Sequence, residues 1–133
     1  MLERFKVPAE DRIYVSVEDA RAATEAIFLA MGLSEEDAAR STDVLITNDL
    51  RGVETHGVSN LLRNYVARYR DGTMNPRPEI KIERETDTTA VIDADRGLGA
   101  HIAAHAMRMA MDKADRHGLG AVCVENVGHM AGA

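Results

Sequence analysis

The chain has no tryptophan, one cysteine, three prolines, and only two phenylalanines and three tyrosines among its 133 residues. A single cysteine, Cys123, excludes an internal disulfide, and its setting in Ala-Val-Cys-Val reads as a buried strand position. No segment approaches the roughly 20 apolar residues needed to cross a bilayer. The opening Met-Leu-Glu-Arg-Phe-Lys-Val-Pro lacks the apolar run of a secretory signal. The expectation is a cytoplasmic protein with no membrane partner. Basic runs are missing too, and the net charge of −6 argues against a nucleic-acid partner, because nothing is present to neutralise a row of phosphates. What is there is an ordinary globular balance, with 45% hydrophobic and 29% charged residues, long enough for one domain or two small ones. Seven methionines stand in for the missing aromatics as deformable packing.

Helix signals dominate the first half. Ser16-Val-Glu-Asp19 has N-cap spacing, followed by an apolar face of Val17, Ala20, Thr24, Ile27, Phe28 and Met31 and a stop at Gly32. Ser34-Glu-Glu-Asp37 caps a second helix running through Ala38, Leu45, Ile46 and Leu50. A third starts near His56 and ends at Asp71-Gly72. Its apolar face is Val58, Leu61, Leu62, Tyr65, Val66 and Tyr69. Pro76 and Pro78 then break any helix. Beyond them the period changes to strand-like alternation in Ile80–Glu85 and a β-branched run in Thr89–Asp93, which suggests a hairpin. A helix over Leu98–Arg116 and a strand over Ala121–Glu125 follow. The expected fold is α+β: a three-helix domain over residues 1–75, followed by the start of a mixed α/β domain over 76–133.

Four features carry possible chemistry. At about 100° per residue, His56, Asn60 and Arg63 share the polar face of the third helix. A histidine in the first helical turn is biased towards neutral imidazole by the helix dipole, and an arginine two turns on can grip a carboxylate with two N–H groups. That outlines a site for a hydroxy acid; the plainer reading is a solvated face with a surface histidine. His129 follows a strand and precedes small residues, a turn where backbone N–H groups gather, or else it is simply a loop histidine. His101 and His105, spaced i, i+4, have metal-binding geometry but no third ligand nearby, so two helix-face histidines are the expectation. Gly97-Leu-Gly99 invites comparison with a dinucleotide-binding turn. However, Asp93-Ala-Asp-Arg96 separates it from the strand, Ile102 stands where a small residue is needed, and no acid lies at the right distance. A loop-and-cap role for these glycines is expected instead.

The run D-L-R-G-V-E-T-H-G-V-S-N-L-L-R-N-Y-V-A-R-Y-R-D-G-T-M-N, Asp49 to Asn75, resembles the signature of the type-2 malate/L-lactate dehydrogenases. Thr89 to Gly99, the helix around Ala106-Met107, and His117 to His129 agree with it. The resemblance implies a non-Rossmann cofactor domain and NAD or NADP as cofactor. It also implies hydride transfer between the nicotinamide and a small 2-hydroxy or 2-keto acid, or in a close variant reduction of a cyclic imine, and a homodimer. It places His56 and His129 as the catalytic histidines, with Thr55, Asn60, Arg63 and Tyr65 in substrate binding. The match departs at Asn60, where many relatives carry arginine, at Tyr65, one position later than the family tyrosine, and at Gly132, one position later than the family glycine. The family also implies a chain roughly two and a half times this length. The expectation is therefore an N-terminal part, inactive alone, with most cofactor contacts beyond Ala133. The competing reading is a non-catalytic module that dimerises or docks on a partner.

Overall fold

The computed structural model describes residues 8–130. Four helices and a three-stranded mixed sheet make an α+β fold, with α1 at Val17–Ala30, α2 at Glu35–Leu50, α3 at Val58–Arg70 and α4 at Gly99–His117. The strands are β1, Lys81–Glu85, β2, Thr89–Asp93, and β3, Ala121–Glu125. The caps fall where the serines predict them. Ser16 Oγ accepts the Asp19 N–H at 3.0 Å and Ser34 Oγ that of Asp37 at 3.1 Å, each relieving an orphan donor of the first turn. Thr24 and Phe28 are the buried part of α1, while Val17 and Ile27 stay 39% and 37% exposed, because α1 packs almost wholly along one seam with α2. Leu50, the last residue of α2, lies beyond that seam and is exposed.

The apolar stripe of α3 forms as its period requires. Leu62, Tyr65 and Tyr69 are buried, and Val58, Leu61 and Val66 pack against the same core. That core joins Phe28, Leu33, Leu45, Leu62 and Tyr65 to Met74 of the connector and to Leu98 and Ala100 at the start of α4. The helical layer and the β–α segment therefore share one hydrophobic cluster. A polar pair crosses it: Ser41 Oγ of α2 lies 3.2 Å from His101 Nδ1 of α4, with both residues buried. His105, one turn on, is exposed. Among the described residues no group of three or more His, Cys, Asp or Glu could hold a metal ion.

The start of α3 is held from outside. The N-cap residue is Gly57, which has no side chain to cap with. Asp49 of α2 supplies the acceptor instead, its Oδ2 taking the Val58 N–H at 2.9 Å. A Cβ at Gly57 would fall on that carboxylate. Burial pushes the Asp49 carboxyl above its ordinary range, the bond from Val58 opposes this, and Glu54 adds to the rise.

In the sheet, β1 pairs antiparallel with β2 as the expected hairpin, with a bulge between Ile82 and Arg84, and β2 pairs parallel with β3 across α4. Lys113 of α4 is buried to its ammonium, which donates to Glu85 Oε1 at 2.8 Å and to the Thr86 carbonyl at 2.7 Å, pinning the hairpin turn to the helix. Cys123 corrects the sequence reading: it is a strand residue, but exposed. β3 lies at the sheet edge and alternates, so Val122 and Val124 are partly buried on the face covered by α4 while Cys123 points the other way.

Two outcomes follow. Gly57→Ala is expected to destabilise the fold by about 1–3 kcal/mol, because the added methyl displaces the Asp49 cap; an unchanged urea midpoint would show that the Asp49–Gly57 contact is slack. Burial holds the His101 pKa below its ordinary 6.5, with Asp37 opposing and Arg40 reinforcing. A lowered base contributes in full above that value and loses its contribution as pH falls below it. Melting temperature should therefore drop between about pH 7 and pH 5, and His101→Gln should flatten part of that drop. An identical pH slope in the variant would clear His101 of this role.

Candidate active site

His56 ends a short 3₁₀ turn, Glu54–His56, immediately before Gly57. It therefore precedes α3 and does not occupy its first turn as the helical periodicity suggests, because the chain must bend at Gly57 to meet Asp49. Two bonds hold the turn: Asn48 Nδ2 donates to the His56 carbonyl at 3.1 Å, and Asn60 Nδ2 donates to the Glu54 carbonyl at 2.7 Å. Thr55 Oγ1 lies 2.8 Å from His56 Nδ1, so the ring is oriented by its own neighbour.

The second histidine arrives from the other end of the chain. The turn after β3 carries Asn126 to His129, and its backbone is stitched to the turn before α4. Arg96 N–H donates to the Asn126 carbonyl at 2.7 Å, and Gly128 N–H to the Gly97 carbonyl at 2.8 Å. The two segments meet so closely at Gly99 that a Cβ there would lie 2.7 Å from the carbonyl oxygens of Gly128 and His129. This pairing lays the His129 ring on His56, with centroids 5.3 Å apart and planes inclined by 22°. His129 Nδ1 lies 3.1 Å from the Tyr65 hydroxyl.

The electrostatics follow from that packing. Burial pushes the Tyr65 phenol up to about 12, with Arg68 opposing, so it keeps its proton at neutral pH. The imidazole of His129 is held below 6.5, first by burial, then by the positive charges available at His56 and Arg68. The pair thus presents one imidazole biased to the neutral, proton-accepting form, steadied by a phenol that does not ionise. A positive charge on the His56 ring would repel one on the His129 ring stacked against it.

Of the residues singled out from sequence, the structure brings together His56, His129, Tyr65 and Thr55. Asn60 is engaged in holding the turn, and Arg63 stands exposed on α3. Asp49, Asn48 and Arg68 were not singled out. Asp49 and Asn48 lie in or beside the D-L-R-G-V-E-T-H-G run, but their roles depend on where α2 ends relative to α3, which no local pattern shows. Arg68 is three residues after Tyr65, and that spacing alone would have placed it one turn along the same side.

Residues 15–133 match the sequence profile of the family described as Malate/L-lactate dehydrogenase. L-sulfolactate dehydrogenase of Methanocaldococcus jannaschii is 41% identical over 98 residues, which are 74% of this chain and 28% of that protein. Malate dehydrogenase of Pyrococcus abyssi is 43% identical over 103 residues, 77% of this chain and again 28% of the relative. The solved malate dehydrogenase of Pyrococcus horikoshii OT3 superposes with a TM-score of 0.88 at 35% identity, covering 94% of this chain and 36% of that one. The chain thus spans about 28% of the length of the curated relatives it matches. The T-H-G turn, the tyrosine on α3 and the histidine after β3 sit within a matched region that takes in nearly all the described residues, and the chain belongs to the malate/L-lactate dehydrogenase family.

Proposed function

We propose that this chain supplies the proton-transfer part of an oxidoreductase acting on a small 2-hydroxy or 2-keto acid. The observation that carries the reading is the His56–His129 stack with Tyr65 on one ring and Thr55 on the other. Oxidising a secondary alcohol requires a group that accepts the hydroxyl proton, and an imidazole biased to its neutral form does this near neutral pH. His129 takes that role. His56, stacked on it, disfavours a lasting second positive charge and so returns the proton readily. Tyr65 and Thr55 hold the two ring planes. Arg63, exposed on α3, is the cation offered to the acid's carboxylate, with Thr55 near the histidine pair. Domain limits at 1–75 and 76–133, a homodimer and a cytoplasmic setting belong to the same proposal.

The cofactor would be NAD or NADP, which accepts hydride from the α-carbon when bound. The described residues do not form a dinucleotide cradle. At Gly99, the first residue of α4, the close passage of the Gly128 and His129 carbonyl oxygens leaves no room for a side chain.

Steady-state turnover of the intact protein with NAD or NADP and malate or lactate tests the reading. His129→Ala is expected to lower kcat by about 10²–10⁴-fold with the melting temperature preserved. His56→Ala should also cut kcat sharply. Normal turnover in both variants would remove the histidine pair from the mechanism. The acid limb of kcat/KM for alcohol oxidation should lie below pH 6.5, since burial, His56 and Arg68 all depress His129. A limb above that value would show that another group accepts the proton.

A further inference from the structure

Beside the histidine pair lies a second feature that the proton-transfer reading leaves unused. An open cavity of about 140 Å³ is lined by Arg68, Thr73, Arg96, Asn126, Val127 and Gly128. Gly128 is adjacent to His129, and Arg68 lies one helical turn from Tyr65, about 4.5 Å along the axis. The cavity therefore shares its wall with the site.

Two guanidinium groups, those of Arg68 and Arg96, line it. The guanidinium of Arg68 has no ion-pair partner within 4 Å among the described residues, yet its field reaches Tyr65, Asp71 and His129. Arg96 donates from Nη1 to the Gly72 carbonyl at 3.0 Å, leaving most of its five donors unspent. The acids nearby are turned onto other groups. Asp71 accepts from the N–H and hydroxyl of Thr73, Asp93 from Asp95 N–H and Asn126 Nδ2, and Asp95 from Asn75 Nδ2 and Glu79 N–H. Backbone geometry singles out the same place. Asp95, Arg96 and Asn126, with φ of 46°, 60° and 50°, are the non-glycine residues with positive φ among those described, and all three lie in the two loops that build this cavity. Left-handed backbone at such residues persists only where surrounding bonds over-determine it, as the Arg96–Asn126 and Asn75–Arg96 bonds do here. The result is a rigid pocket with two arginines facing it.

We propose that Arg68 and Arg96 form an oxyanion subsite that receives the far acidic group of a dianionic 2-hydroxy acid whose hydroxyl lies at the histidine pair. The assignment rests on the oxidoreductase reading for the identity of the ligand, but not for the existence of the pocket. Two guanidinium groups recognise carboxylate or sulfonate alike, and a cofactor phosphate shares that chemistry. The substrate is favoured because the cavity is walled by Gly128, the residue before His129, and holds little more than one such group.

The test has two arms on the intact protein. In the first, inorganic sulfate is titrated while backbone amide resonances are followed. Saturable shifts are expected at Asn126, Val127 and Gly128 and should vanish in Arg96→Asn, which tolerates positive φ but lacks the cation, and return in Arg96→Lys. The absence of shifts in the wild-type protein, or shifts untouched by Arg96→Asn, would overturn the subsite. In the second arm, Arg96→Asn and Arg68→Met should raise KM for malate by about tenfold or more while changing KM for lactate by less than about twofold. Equal effects on both acids, or an effect confined to KM for NAD or NADP, would overturn the assignment to the far group of the substrate; the latter would give the pocket to a cofactor phosphate. Absence of turnover on any 2-hydroxy acid would sink the oxidoreductase reading alone, leaving the sulfate titration to decide the subsite.

Discussion

The close passage of two backbones at Gly99 and Gly128 is the constraint on which the site depends. His56 belongs to the helical layer and His129 to the exit of the last strand, more than seventy residues later. They meet because the segment from Gly128 to Met130 runs directly over the first residue of α4, at a separation that leaves no room for a side chain at Gly99. The Gly128–Gly97 bond holds that passage, and the Arg96–Asn126 bond beside it holds the two loops. A methyl group at Gly99 would push the second histidine away from the first before it touched anything else in the site.

A second clamp works at the opposite wall. Asp49 reaches from α2 to cap α3 through Val58, and Gly57 is bare because the carboxylate occupies the space a Cβ would need. This clamp fixes where α3 begins, and so places His56 in a turn outside the helix with Thr55 on its ring. Tyr65, two turns into α3, then links the clamps. Its ring fills the shared core, fully buried, while its hydroxyl emerges at His129. One side chain thus links the packing of the core to the position of the His129 ring.

The same architecture separates charge. Carbonyl oxygens of Gly128 and His129 pack on Gly99 at the start of α4, whereas the cavity beside Gly128 is lined by Arg68 and Arg96. Positive potential at that cavity also leans on His129, favouring its neutral form.

Much of this was legible locally. The serine caps, the three helices, the proline break, the hairpin and the α4–β3 segment follow from i, i+3, i+4 spacing, strand alternation and turn residues. These are short-range preferences that the tertiary structure had no reason to override. Resemblance in the T-H-G run and in the residues up to His129 pointed to the family that the matched profile supports. What local pattern could not supply was anything decided between distant segments. Cys123 lies in the strand as expected, but which face of an edge strand is covered depends on where α4 packs. Asn60 shares a helical face with His56 on paper, yet its amide is drawn to Glu54 once the chain bends at Gly57. The amino-acid order by itself determined the elements, the serine caps of α1 and α2, and a histidine in the turn after β3. Only the tertiary structure decided that His56 and His129 stack, that Tyr65 serves both core and site, and that Arg68 and Arg96 face one cavity, because each depends on contacts between residues that the sequence holds far apart.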